Sequence, residues 1–370
     1  SGRDRCGGGR RRGSDVTILG NYVIRTILGY TALVMLVLLA LGALFLFIGQ
    51  QDDIGTGGYS ASQAMLFVGL SLPSYLFQLL PVGALIGALL GLGNLARGSE
   101  LVVMRASGIT TAQFCRWLGI AGFILAVVMV GLGEFVAPPL EKYARQIKTF
   151  SKFSEFSFAG KGGTWVRDGD TIISVEQQSA DSRYGGVQVF RFDGGRRLLS
   201  VGRAETASVD EQSRWRLEGF AETRFANGGT ESGRADMHEV KSSLSADFLG
   251  LAVVAPETMG LRDLVTYIGY LERNNLDAHA FEIALWSRLA RLVALLLVVI
   301  LALPFALGPM RSSGQGARTV IGILIGAGFV LLSRTLESSG RLFDLEPWIV
   351  GWGPTVLLAA LTFGLLLRTR

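Results

Sequence analysis

Residues 33–49 read LVMLVLLALGALFLFIG, seventeen consecutive positions with no charge and no hydrogen-bonding side chain. With the flanking residues the apolar segment runs from about Tyr22 to Gly49. A helix needs ~20 mostly apolar residues to cross the hydrocarbon core, and this run is too long for a signal peptide, so it reads as a retained membrane span. Five further segments have the same character: about Ala64–Ala96, interrupted by Pro73 and Pro81, then Phe114–Ala137, Ala284–Leu307, Val320–Glu337 and Ile349–Leu367. The composition agrees. Of 370 residues, 49% are hydrophobic, only 18% are charged and 49 are glycine, which lets membrane helices approach closely. These values exclude a disordered or fibrous chain and argue against a cytosolic enzyme.

The short loops orient the spans through their basic residues. Arg3, Arg5, Arg10, Arg11 and Arg12 precede the first span, and Arg97, Arg105 and Arg116 lie around the loop between spans two and three. Arg311 and Arg318 follow span four, and Arg368 and Arg370 end the chain. The opposite short loops hold Arg341 alone, beside Asp52, Asp53, Asp344 and Glu346. This asymmetry places both termini in the cytoplasm and the stretch from Pro138 to Asn275 outside it. The formal charge of +5 carries no clustered basic face of the kind that binds nucleic acid.

The outside stretch alternates apolar and polar residues in short runs. Thr164–Arg167 and Thr171–Val175 flank Asp168-Gly169; Gly186–Phe192 ends at Asp193-Gly194-Gly195; Arg214–Phe220 precedes Asn227-Gly228-Gly229. Strands at this spacing predict an antiparallel sandwich or jelly roll of about 100 residues. Leu261–Asn275 has helical apolar spacing and is expected along the membrane surface. The predicted fold is an α-helical membrane protein with an inserted all-β domain, six transmembrane helices in a 3 + 3 arrangement flanking a β-jellyroll. The expected divisions are an unfolded Arg/Gly-rich head at 1–18, spans one to three at 19–137, the β domain at 138–260, and a connecting helix with spans four to six at 261–370. The two halves show no internal repeat.

The chemistry-bearing motifs are sparse. There is no G-x-x-x-x-G-K-[ST] and no G-x-S-x-G. His238 and His279 stand apart, and Cys6 and Cys115 have no metal or disulfide spacing. No catalytic residue, metal or cofactor is expected. The loop after span two predicts a short amphipathic helix from Ser99 to Gly108: Ser99 as N-cap, Glu100 at the positive end of the dipole, Leu101, Met104 and Arg105 on one face, and Gly108 as a left-handed C-cap. Pattern alone leaves two readings, a surface that receives force from a soluble partner or an interfacial helix that closes the loop. Beyond Pro139, Lys142, Arg145 and Lys148 fall three apart and form a basic stripe at the outer boundary, suited to lipid phosphates or simply to water. Arg288 and Arg291 are placed to snorkel. Arg334 and Glu337 are spaced to pair, lining a cavity or anchoring a helix end.

LGLGNLA at 90–96, SELVVMRASG at 99–108, GEFVAP at 133–138 and FALGPMRS at 305–312 carry a resemblance to the lipopolysaccharide-export permeases of Gram-negative bacteria, the LptF/LptG family, and within it to the G-type subunit. It extends from about Leu19 to the C-terminus. The resemblance implies an ABC-transporter permease in the inner membrane, with its β domain in the periplasm. It implies pairing with an F-type permease subunit (LptF), a cytoplasmic ATPase dimer (LptB) and the single-pass subunit LptC, and lipopolysaccharide as substrate. On this basis Ser99, Glu100, Leu101, Met104, Arg105, Ala106, Ser107 and Gly108 are the expected ATPase-coupling residues. Lys142, Arg145 and Lys148 are the expected lipopolysaccharide contacts, and Arg334 and Glu337 the candidates for cavity or gate. One departure stands out: some relatives carry lysines at the outer end of span one, where this chain has Leu46–Asp53, ending in Asp52-Asp53. The resemblance then implies that span three and the F-type subunit hold the substrate, or that the lipid A is modified differently. A membrane-bound sensor or scaffold with an external β domain is the competing class, and it predicts no ATPase partner. A lipoprotein-release permease would have four spans.

Overall fold

The computed structural model describes residues 8–55, 58–152, 157–158, 164–178, 183–193, 197–209, 214–226, 229–241, 256–307 and 315–368. Its elements in chain order are α1 (Gly8–Ile48), a 3-10 turn (Gln51–Asp53), α2 (Ala61–Arg97), α3 (Glu100–Ala106), α4 (Thr111–Gly131), a π-helical turn (Leu132–Val136) and α5 (Ala137–Lys152). Seven strands follow, β1 (Ser157–Phe158), β2 (Thr164–Asp168), β3 (Thr171–Gln178), β4 (Arg183–Phe192), β5 (Leu198–Val209), β6 (Arg214–Ala226) and β7 (Gly229–Lys241). The chain then returns to helices α6 (Leu261–Arg273), α7 (His279–Leu307), α8 (Gln315–Leu342) and α9 (Pro347–Arg368).

Among the described residues six helices are long and apolar enough to cross a membrane: Ile18–Asp53, Ala61–Arg97, Thr111–Arg145, His279–Leu307, Val320–Leu342 and Pro347–Arg368. Three precede the sheet and three follow it. Helix α1 starts at Gly8, so residues 8–18 of the head, expected to be unfolded, lie in its first turns. Once an apolar helix has nucleated, adding neighbouring residues is cheap, and arginine is a good helix former. Residues 1–7 of that head lie outside the described residues.

The chain divides into two compact units. The first takes Leu72–Ala137 and Glu282–Arg370 together with the part of α1 up to Leu44. Its core joins Val23 and Ile27 of α1 to Leu85, Leu89, Leu92 and Leu95 of α2, Phe114, Trp117 and Leu118 of α4, and Leu295 and Val299 of α7. Close packing is steric: a Cβ at Gly87 would lie 2.4 Å from the Cα of Thr31. Lipid tails are as apolar as leucine, so such shape fit, rather than hydrophobic burial, brings membrane helices together.

The second unit holds Phe45–Ser71 and Pro138–Phe281. Its sheet is antiparallel in the order β1-β3-β4-β5-β6-β7, with β2 also on β3. Asp168 pairs with Thr171 across a two-residue turn whose Gly169 has φ +59°, as Asp-Gly predicts. Of the expected Asn227-Gly228-Gly229 turn, residues 227 and 228 lie outside the described residues, and Gly229 pairs with Ala226.

A crease crosses the sheet at Gly186 (φ +62°) and Gly219 (φ +64°). Buried residues change parity there. On β4, Tyr184 lies before the crease and Val187 and Val189 after it; on β5, Ala204 and then Ala207; on β6, Trp215 and Leu217 and then Phe220. The two left-handed glycines stand where the buried residues change parity, and the strand register runs through both without a shift. Tyr184 and Trp215 stack 5.4 Å apart on that face.

Helix α6 buries Leu264, Tyr267, Ile268, Tyr270 and Leu271. It docks on the β2–β3 hairpin. The Tyr270 hydroxyl donates to the Arg167 carbonyl at 2.6 Å, and the Gly169 N–H donates to Asn274 Oδ1 at 3.1 Å.

Candidate functional site

The loop between α2 and α4 is built to be stiff. Helix α3 buries Leu101 and Met104 in the helical core and leaves Val102, Val103 and Arg105 exposed. Arg105 was expected on the face of Leu101 and Met104, but it points to the exposed side. The C-terminus closes as predicted at Gly108, φ +90°. The Gly108 N–H donates to the Arg105 carbonyl at 3.0 Å and the Ile109 N–H to the Met104 carbonyl at 3.2 Å. Ile109 and Met104 are both buried in the core, completing a Schellman closure.

Thr110 then starts α4 with a capping box. Its hydroxyl accepts from the Gln113 N–H at 3.3 Å, and Gln113 Oε1 accepts from the Thr110 N–H at 2.9 Å. The N-terminus corrects the expectation for Ser99. That residue precedes the helix in the left-handed region, φ 57°, and its side chain makes no capping bond. Glu100 instead accepts from the Tyr22 hydroxyl at 3.4 Å. Ser107 bonds back to the Val103 carbonyl at 2.9 Å.

A second constellation lies where α4 opens into the π turn. A π turn frees backbone carbonyls, and the Gly133 carbonyl accepts from Arg288 Nη2 of α7. Arg288 Nε also lies 3.0 Å from Glu134 Oε1, and its guanidinium stacks 4.5 Å from the Phe77 ring centroid. Only 7% of the Arg288 side chain is exposed, so this arginine is buried and paired rather than snorkelling. The expected Arg334–Glu337 pair is replaced as well. Glu337 meets Arg291 at 3.3 Å, and Arg334 donates to Gln78 Oε1 at 3.4 Å. The Arg291–Glu337 pair joins α7 to α8, whereas an i,i+3 pair would have stayed within α8.

The basic stripe lies on α5. Lys142 is exposed, Arg145 Nε binds Glu141 Oε1 at 3.1 Å, and Lys148 Nζ lies 2.8 Å from Asp53 Oδ2 and 5.2 Å from the Phe67 ring centroid. Asp53 ends a tightly bonded turn. Its N–H donates to the Gln50 carbonyl at 3.0 Å, the Gly55 N–H to the Tyr59 carbonyl at 2.9 Å, and the Tyr59 hydroxyl to Gln50 Oε1 at 3.4 Å. Gln50 and Tyr59 are buried, and burial, with the nearby Asp53 charge, raises the Tyr59 hydroxyl above the ordinary tyrosine range. The acidic end of span one, a departure at sequence level, thus meets the cationic stripe.

Sequence reasoning missed the partners: Glu134, Phe77 and Gln78 for the arginines, and Asp53 for Lys148. An ionisable residue inside an apolar span was the available clue to Glu134 and Arg288. Nothing local pointed to Asp53, because the contact joins residues 95 positions apart.

The family described as lipopolysaccharide export system permease LptF/LptG matches residues 21–368. The chain belongs to that family. It is 30% identical over 353 residues to the lipopolysaccharide export system permease protein LptG of Escherichia coli strain K12, covering 95% of this chain and 98% of that one. It is 28% identical over 360 residues to LptG of Haemophilus influenzae, covering 96% and 99%. As an LptF/LptG family member with six candidate spans, it is a multi-pass membrane protein and a permease subunit.

Proposed function

We propose that this chain is a non-catalytic wall of a transporter that lifts lipopolysaccharide out of the outer leaflet of the inner membrane and passes it to a periplasmic bridge. Both termini lie in the cytoplasm and the β domain in the periplasm, a reading that the arginine distribution of the short loops supports. An F-type sibling (LptF) encloses the cavity with it, LptC stands at the gate, and a separate ATPase dimer (LptB) supplies the energy. Each CH₂ withdrawn from the bilayer costs ~0.8 kcal/mol, so removing a many-chained lipid demands tens of kcal/mol unless the path shields it. In this reading the energy comes from the separate ATPase, and the force enters through a rigid contact.

Helix α3 is the part suited to that task, and it carries the reading. Its exposed Val102, Val103 and Arg105 face a soluble partner, while Leu101, Met104 and Ile109 tie it into the helical core. The Schellman closure and capping box leave little slack between α3 and α4, so a push on Val103 is passed to the span. In the same reading Lys142, Arg145 and Lys148 meet the phosphates, and Arg334 and Glu337 are the candidates for cavity or gate.

The test is a Val103→Glu substitution in the assembled complex. Expected are loss of ATPase copurification and loss of ATP-driven lipid release from proteoliposomes, with the thermal midpoint of the detergent-purified chain unchanged. An ATPase that still copurifies and still drives release would remove α3 from the contact. If no ATPase copurifies with the native chain, the sensor or scaffold class gains.

A further inference from the structure

Arg145 and Lys148 of the stripe hold carboxylates of this same chain: Arg145 holds Glu141 one turn away, and Lys148 holds Asp53 from a distant loop. The second contact is constructed rather than incidental. Gln50 and Tyr59 are buried and bonded to each other, Gly55 takes φ +90° to close the loop, and Asp53 ends the 3-10 turn with its carboxylate 2.8 Å from Lys148 Nζ. The ammonium also sits 5.2 Å from the Phe67 ring centroid, so it has a defined seat.

The pair is not sealed. The Lys148 side chain is 27% exposed and that of Asp53 24%, so this chain encloses neither. An ammonium is a compact point charge with rotatable donors, which exchanges anionic partners more readily than a bidentate guanidinium. A phosphate monoester brings about −1.5 to −2 charges and three acceptor oxygens, against one charge and two oxygens for a carboxylate.

We propose that Asp53 is an internal stand-in for a lipid phosphate: it occupies Lys148 in the unloaded protein and must be displaced by the phosphorylated head group of the substrate. The inference rests on the reading of the α5 stripe as the substrate's phosphate contact. Its consequence is selectivity. An anion with a single weak charge gains nothing by replacing Asp53, whereas a phosphomonoester does. When the substrate leaves, the carboxylate returns to Lys148, so the ammonium is never left bare and the retained lipid is easier to release.

The experiment uses the full chain in its complex in nanodiscs, with diphosphoryl lipid A and lipid A stripped of both phosphates as probes in competition binding. Asp53→Asn is expected to tighten diphosphoryl lipid A by about fivefold, the scale of one partly exposed ion pair, and to leave the dephosphorylated lipid unchanged. In a Lys148→Gln background the same substitution should have no effect. Asp53→Glu keeps the charge and should bind like the parent. Unchanged or weaker binding by Asp53→Asn, with the parent still preferring the phosphorylated lipid, overturns the stand-in role alone. Equal changes in Asp53→Asn and Asp53→Glu also overturn it, since they report damage to the loop. A parent complex that does not distinguish the two lipids overturns the reading of the stripe itself.

Discussion

Arg288 and Lys148 are answered by the same two kinds of partner. Each meets a carboxylate, Glu134 at 3.0 Å and Asp53 at 2.8 Å, and each lies over a phenylalanine, Phe77 at 4.5 Å and Phe67 at 5.2 Å. They differ in depth: the Arg288 side chain is 7% exposed and that of Lys148 27%. Arg288 also holds the Gly133 carbonyl freed by the π turn, so its removal takes a donor from two acceptors. One arrangement of groups therefore occurs at two depths, enclosed by the helical core around Arg288 and open on one side at Lys148.

Arg288→Met should cost the most, about 3–5 kcal/mol, the scale for breaking one side of a buried ion pair. It would be read as a lowered unfolding midpoint in detergent, and the double variant Arg288→Met/Glu134→Met should recover part of the loss. A null effect would mean that the joint holds nothing.

Glu222 of the sheet lies between the two extremes. Burial pushes its carboxyl up, but hydrogen bonds from Ser200 and Arg224 and the charges of Arg224 and Arg191 outweigh that and leave it below the usual glutamate range. A carboxylate that binds its proton less readily when folded adds stability above its unfolded pKa, ~4.3, and loses it as pH falls through the native value. Arg224 is 64% exposed, so the contribution should stay below about 1 kcal/mol. Acid titration of unfolding should show this decrease, and Glu222→Gln should flatten it. Lys148→Ala should change stability least, by less than about 0.5 kcal/mol, while weakening phosphorylated lipid. A large loss of stability there would erase the contrast with Arg288.

The parts legible in the sequence were those set by continuous pattern. Six apolar runs gave six helices because a membrane tolerates few alternatives to a helix. Gly108 was readable because few residues other than glycine accept φ +90° at a helix end. Ser99 was not: cap preference is a weak prior, and here the chain turns through the left-handed region before the helix begins. The Thr110–Gln113 box carried a plain T-x-x-Q pattern and was overlooked. Arg334 and Glu337 were spaced to pair, yet Glu337 meets Arg291 and Arg334 meets Gln78 on neighbouring helices. The run Arg214–Phe220 looked like simple alternation, but its apolar phase slips by one residue at Gly219. Pairings between helices and a slip shared by several strands depend on tertiary neighbours, which local spacing does not encode.

The crease at Gly186 and Gly219 limits how this sheet can vary in length. A single residue inserted or deleted within one of these strands would turn every side chain between the edit and the strand end to the opposite face. Length changes should therefore be tolerated only at the hairpin tips, or as matched edits on adjacent strands. The two ends of the sheet are free to diverge in residue type, but their separation from the bend, counted in residues, is not free to change.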